Sequence, residues 1–205
     1  EIPRSKVYHI NNGVDLEQFD YNTEHFRVDD PDLDDPNTFK VVYTGSIRKA
    51  NGLGILVDAA KAIRDPRIKI LVWGEGDERE ELTRRVMEEG LTNIVFKGKV
   101  EKKYVPSIVS RADLNLVHWG EVHLIQYGVS YNKLFDYMAA GRPIFSTVRP
   151  GYSIWEKYDC GRDTEDTRPE PLAHELEKMA ALPPEELSRL GENARKGAED
   201  YDFRV

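Results

Sequence analysis

The sequence has 205 residues, 40% of them hydrophobic, which is enough for one sizeable core. No run approaches the ~20 apolar residues that a transmembrane helix needs. With 29 basic against 37 acidic residues the formal net charge is −8. That excess argues against a whole-surface association with nucleic acid, which phosphate neutralisation governs, while leaving room for a local basic pocket.

Cys160 is the one cysteine, so an internal disulfide and a cysteine zinc site are excluded, and a reducing compartment is indicated. Residue 1 opens a polar stretch without a start methionine. No secretory leader is therefore expected, and the chain reads as an excised piece of something longer.

In chain order, residues 1–38 read as an opening strand followed by an acidic connector. Residues 15–39 hold nine acids against Arg27, with Pro31 and Pro36, and this composition predicts a solvated segment. From residue 39 to 205 the pattern is regular. Residues 40–44 form a predicted strand ending at Gly45, and 54–63 a helix with Leu56, Ala59, Ala60 and Ile63 at helical spacing. Residues 68–73 are a strand ending at Gly74, 77–89 a charged amphipathic helix, 93–96 a strand and 105–110 a short helix. A strand at 114–118, a helix at 131–140 closed by Gly141, and a strand at 143–147 follow. The tail from Pro169 to about residue 198 reads as two helices, the second opened by Pro183-Pro184-Glu185-Glu186. Short strands alternating with helices predict an α/β domain, a Rossmann-like doubly wound parallel sheet covered on both faces.

Ligands of such sheets bind outside the carboxyl ends of the strands. The loop from Gly45 to Gly54 carries Ser46, Arg48 and Lys49 among three glycines. Its backbone can approach a ligand, and its cations can neutralise a diphosphate; two solvated cations on an ordinary β–α loop is the competing reading. Gly74-Glu75-Gly76 opens like a dinucleotide fingerprint, but Arg79 stands where the third glycine would be, and a tight turn alone explains both glycines. Gly128, Val129 and Ser130 would present backbone N–H groups at a helix start, with Ser130 as its cap. Asn132, Lys133 and Asp136 share the following helix face, from which a carboxylate can accept both hydroxyls of a ribose. Against this, Asp136 would be a surface acid paired with Lys133.

Other chemistries find little support. His118, Glu121 and His123 cluster, but at no known zinc spacing, so they read as lining a loop at a strand end, and no metal site is expected. No Gly-x-Ser-x-Gly elbow occurs, and Cys160 has no histidine nearby in sequence. Trp73, Trp119 and Trp155 are spread too widely to make a stacking platform for single strands.

Taken together, these segments resemble the carboxyl-terminal domain of a family-4 glycosyltransferase with the GT-B fold, over nearly the whole length. Val7-Tyr8-His9-Ile10-Asn11-Asn12-Gly13-Val14-Asp15 resembles the family's Ile-Pro-Asn-Gly-Val-Asp segment. Val42-Tyr43-Thr44-Gly45 with Gly52-Leu53 resembles its first strand and glycine loop, and Val72-Trp73-Gly74-Glu75-Gly76 its Gly-x-Gly turn. Val95-Phe96-Lys97-Gly98-Lys99-Val100 resembles the strand whose end touches the nucleobase. The most specific match is Asn132-Lys133-Leu134-Phe135-Asp136-Tyr137-Met138-Ala139-Ala140-Gly141-Arg142-Pro143, similar to a subgroup in bacterial surface-polysaccharide assembly, lipopolysaccharide or capsule. Two departures stand out. Gly128 occupies the place of the first of two glutamates, and Ser46 lies near the usual loop arginine.

The resemblance implies the donor-binding half of a retaining, hexosyl-type glycosyltransferase. It would hold a nucleoside-diphosphate sugar, a UDP-sugar in first place, as substrate and no separate cofactor. The base would lie against Lys99 and Val100, the ribose on Asp136, and the phosphates over residues 45–49 and the N–H groups of Val129 and Ser130. The same resemblance implies that an amino-terminal acceptor domain and most of a last crossing helix are missing, and that this half alone is inactive. It also implies a cytoplasmic location, with the parent peripheral to the inner face of the membrane. Two other readings remain open at this point: a nucleotide-sugar epimerase or phosphorylase of the same architecture, and a nucleotide-binding or interaction module without chemistry.

Overall fold

The computed structural model describes residue 3 and residues 11–120 and 131–204. The strands are β1 (Phe39–Thr44), β2 (Ile68–Trp73), β3 (Ile94–Gly98), β4 (Leu114–Val117), β5 (Ile144–Ser146) and β6 (Gly161–Asp163). The helices are α1 (Leu16–His25), α2 (Gly54–Ala62), α3 (Arg79–Glu88), α4 (Val105–Val109), α5 (Asn132–Ala139), α6 (Ile154–Lys157), α7 (Pro169–Ala180) and α8 (Pro184–Glu199). Short 3-10 turns occupy Lys49–Asn51 and Lys102–Tyr104. The six strands are all parallel, in the order β3-β2-β1-β4-β5-β6. This is the doubly wound, Rossmann-like arrangement that the alternation of strands and helices predicts. Among the described residues no helix is long and apolar enough to cross a membrane.

Burial on both faces explains why the strands read as nearly continuous apolar runs. Val41, Tyr43, Ile70, Val72, Leu114 and Leu116 point into one layer, which α2, α3 and α7 close with Leu56, Leu82 and Leu172. Val42, Leu71, Trp73 and Val117 point into the other, against α1, α4 and α5, with Ala194 and Ala198 of α8 at its margin. Strand β6 escapes the periodicity because Gly161-Arg162-Asp163 has only an edge to fill, pairing with β5 alone.

The acidic segment departs from its expected solvation. Residues 16–25 are helical, and Leu16, Phe19 and Leu33 are buried in the second layer. The acids that looked like solvated charge are partly consumed by cations of the sheet. Lys97 pairs with Asp30 at 2.8 Å and with Asp32 at 2.5 Å, and Lys69 also pairs with Asp32. Asp15 caps α1, its Oδ1 accepting the Gln18 N–H at 2.9 Å. The leading segment is tied to the tail as well: the Val14 N–H donates to Tyr201 O (2.9 Å), and the Phe203 N–H to Val14 O (3.0 Å).

Candidate functional site

The order of the sheet changes direction between β1 and β4, and there the two strands part early. Their pairing covers only Val41↔Leu114 and Val42↔Asn115. Beyond it the Thr44 N–H would lack a sheet partner on that side, and the Tyr137 hydroxyl of α5 accepts it at 2.9 Å. Tyr137 is fully buried, so this bond both satisfies the strand end and holds α5 against the gap.

Above the other edge of β1, the loop after it lies on the loop after β2. The Gly45 N–H donates to Trp73 O, and the Ile47 N–H to Glu75 O, each at 2.9 Å. A Cβ at Gly74 would sit 1.7 Å from Gly45 O, and one at Gly76 2.1 Å from Ile47 O. The pair of glycines therefore answers to two backbones pressed together, a stronger constraint than the tight turn that the sequence suggests.

These features frame a cleft of about 890 Å³ lined by Thr44, Gly45, Ser46, Arg48, Asn132, Lys133 and Asp136, among others. A smaller hollow of about 480 Å³ shares Thr44, Gly45 and Ser46 with it and adds Gly74, Lys99 and Val100. Nine of the residues singled out in the sequence are thus gathered around one opening at the carboxyl ends of the strands. Lys49 stands apart: it is exposed, lines neither hollow, and its backbone N–H donates to Asp77 Oδ1 at 3.3 Å. Gly128, Val129 and Ser130, together with Glu121 and His123, lie outside the described residues.

The charges at the site differ from those of the molecule. Arg48, Lys102, Lys103 and Lys133 line the larger cleft against two acids, Asp15 and Asp136. The Gln18 N–H, and then Arg204 at 2.9 Å, hold the Asp15 carboxyl below the usual range. Asp136 is half-buried, and desolvation pushes its pKa up to about 6, partly offset by the Lys102 charge. Lys133 does not pair with it. Its Nζ lies 4.0 Å from the centroid of the Tyr43 ring, and burial pushes its pKa down to about 7. The surface ion pair proposed for these two residues is not formed.

His118 is buried and satisfied on both nitrogens. Gly52 O can only accept, so Nε2–H donates to it (3.2 Å), and Nδ1 accepts the Thr147 hydroxyl at 2.6 Å. Burial pushes its pKa down to about 4, which keeps the ring neutral. Its work is to tie the glycine loop to the ends of β4 and β5.

One wall of the cleft was not foreseen. Gly13, Asp15, Gln18, Phe19 and Asn22 bring the start of α1 into it, and Trp119, stacked on Tyr131 at 4.8 Å, closes another side. The available signal was the spacing of Leu16 and Phe19, three apart behind an Asp cap, which the density of acids obscured.

Comparison with known proteins places these features in context. A family model described as "Glycosyl transferases group 1" matches residues 38–181. A Bacillus subtilis protein, TuaH, assigned as a teichuronic acid biosynthesis glycosyltransferase, is 25% identical over 154 residues. The match spans 75% of this chain but only 37% of TuaH, so the chain represents a minor part of that relative's length. Among solved structures, Anabaena HepE in complex with UDP and glucose superposes with a TM-score of 0.70 at 17% identity, over 97% of this chain and 54% of HepE. The C-terminal domain of a Francisella tularensis group 1 glycosyl transferase, LpcC, gives 0.67 at 18% identity, over 92% of this chain and 97% of that domain. At these identities the structural likeness speaks for the fold.

Proposed function

This chain belongs to the group 1 glycosyl transferases, with the Rossmann-like architecture of one half of a GT-B enzyme, and from that premise we propose that it is the donor-binding half of a retaining glycosyltransferase. Its substrate is a nucleoside-diphosphate sugar, a UDP-sugar in first place, whose sugar passes to a polysaccharide or lipid-linked acceptor held by an amino-terminal domain. The observation that carries this reading is the concentration of Arg48, Lys102, Lys103 and Lys133 around the β1/β4 crevice of a chain with net charge −8. Cations fixed around a crevice at strand ends suit a diphosphate, because they are already oriented when negative charge develops on the leaving group.

In this reading the phosphates lie between the Gly45–Ser46 backbone, Arg48 and Lys133. The ribose hydroxyls meet Asp136, and the base lies in the smaller hollow beside Lys99 and Val100. Closure of the acceptor domain over the opening excludes water and suppresses hydrolysis of the donor. TuaH, a relative assigned to the synthesis of a surface polymer, favours a surface-polysaccharide role for the whole protein.

The test is calorimetric titration with UDP, GDP and ADP. Selective binding of UDP is expected, and Asp136→Ala should weaken it about ten- to a hundredfold, the cost of removing a charged hydrogen-bond acceptor, while leaving the folded spectrum unchanged. Unaltered affinity in the variant removes the ribose assignment. A second reading, a nucleotide-binding module without turnover, is favoured by Gly128, which stands where the resembled family carries a glutamate. Sugar transfer by the chain joined to an amino-terminal half eliminates it.

A further inference from the structure

We infer that Tyr137 is a positioning residue, which together with Tyr43 fixes the strip Thr44-Gly45-Ser46 so that the two hollows accept the two ends of one nucleotide at once. This rests on the donor-site reading above.

The two hollows meet at three consecutive residues. Thr44, Gly45 and Ser46 line both of them, while Lys133 and Asp136 line the larger alone and Gly74, Lys99 and Val100 the smaller alone. A ligand with its base in one hollow and its phosphates in the other therefore lies across this strip. Both ends fit together only when the strip stands at one place between α5 and the loop after β2.

On the β2 side the strip is fixed by the sheet. Thr44 is in register with Trp73, and the N–H groups of Gly45 and Ile47 donate to Trp73 O and Glu75 O. On the β4 side the strand pairing ends at Val42↔Asn115. There one hydroxyl gathers three polar atoms of Thr44. The Thr44 N–H donates to Tyr137 Oη at 2.9 Å, Thr44 Oγ1 lies 3.2 Å from it, and Thr44 O lies 3.4 Å away. The Tyr137 proton goes to Thr44 O or to Oγ1, so among the described residues every bond of this hydroxyl runs to Thr44. At the other end of the strip the Tyr43 hydroxyl donates to Ser46 O at 3.0 Å.

Tyr43 and Tyr137 are both fully buried and belong to opposite layers of the core, so the strip is held from both faces of the sheet. Packing alone does not call for the two oxygens, because phenylalanine fills nearly the same space. The bond from Tyr137 also joins the strip to α5, the helix that carries Lys133 and Asp136. With no exposed surface of its own, Tyr137 acts through Thr44.

The consequence is that of a rigid link. Two weakly held fragments, once joined, bind far more tightly than either, provided that the subsites stand at the spacing of the connector. Displacement by about 1 Å forfeits much of that gain. Tyr137→Phe removes the acceptor of the Thr44 N–H and frees the strip to shift, so the loss falls on a ligand that spans both hollows. A variant that was merely less folded would weaken every ligand by the same factor.

The experiment measures three ligands on the unmodified chain and on Tyr137→Phe: UDP by calorimetry, uracil by proton NMR and inorganic pyrophosphate by phosphorus NMR. The unmodified chain is expected to bind all three, UDP the most tightly. Tyr137→Phe should bind UDP about tenfold or more weakly, while uracil and pyrophosphate stay within about twofold. Tyr43→Phe, which keeps the ring and releases Ser46 O, should show the same split, and it decides the matter if Tyr137→Phe does not fold. Equal weakening of all three ligands, or unchanged UDP affinity, overturns the inference and leaves the donor site standing. So does failure of uracil or pyrophosphate to bind the unmodified chain, since there would then be no two subsites to align. Failure of the unmodified chain to bind UDP overturns both readings.

Discussion

Arg48 and Lys49 are neighbours that read alike in the sequence, yet the fold gives them different surroundings. Arg48 precedes the 3-10 turn and lines the cleft, whereas Lys49 begins that turn and faces solvent. Arg48→Ala is therefore expected to weaken UDP binding about tenfold or more while barely touching uridine, as the loss of a guanidinium–phosphate contact would. Lys49→Ala should stay within about twofold for both, because Lys49 lines neither hollow and its charge reaches the cleft only through screening solvent. Calorimetry on the two single variants decides; equal losses would take the phosphate contact away from Arg48. The same divergence applies to histidine. His118 was grouped by sequence with Glu121 and His123 at a strand end, but its two hydrogen bonds make it a brace of the glycine loop. Residue identity reveals which chemistry is available; which atoms are already committed is decided by neighbours 29 and 66 positions away.

Among the elements, the two interleaved loops carry the sharpest structural demand. Gly74→Ala would drive a methyl into the Gly45 carbonyl and is expected to destabilise the fold by about 3 kcal/mol, through forced movement of both backbones. Gly90→Ala is the control. Its φ of +65° is unfavourable to alanine, but nothing lies within 4 Å, so a loss of about 1 kcal/mol is expected from denaturant unfolding of each variant. The helices α2, α3, α5, α7 and α8 were legible from apolar residues at the helical period, and the strands β1 to β5 from short, nearly continuous apolar runs between turn residues. Elements that draw their order from elsewhere were not legible. Strand β6 is three residues long and is defined by its pairing to β5. Helix α1 buries only Leu16 and Phe19, and the loop behind it is held by Lys69 and Lys97, residues of a sheet that folds 37 or more positions later. For the site, the glycines and the α5 face could be read off directly. The wall contributed by α1 could not, since it depends on that long-range docking.

At the scale of the whole molecule, acidity and anion binding are compatible because they are spatially separated. The excess of acids is spread over helix surfaces, many of them in local pairs such as Arg84 with Glu81 and Glu88, while of the four cations of the cleft only Lys103 is in an ion pair among the described residues, with Glu101. The seam at the lip of this cleft has a further consequence. Val14 pairs in parallel with the backbone on either side of Asp202, and Gly13 and Phe203 both line the opening, so the first and last described segments are stitched together at the lip and run in the same direction. The order in which the chain visits its elements can then be cut and rejoined. A circular permutant whose linker is long enough to turn back along that parallel seam, with new ends at Gly90 in the turn before β3 at the opposite end of the sheet, keeps every strand and both cleft walls. It is expected to unfold cooperatively and to bind UDP within about threefold of the native order. Such a permutant would place its two ends at the far end of the sheet from the cleft, leaving the mouth of the cleft clear of both.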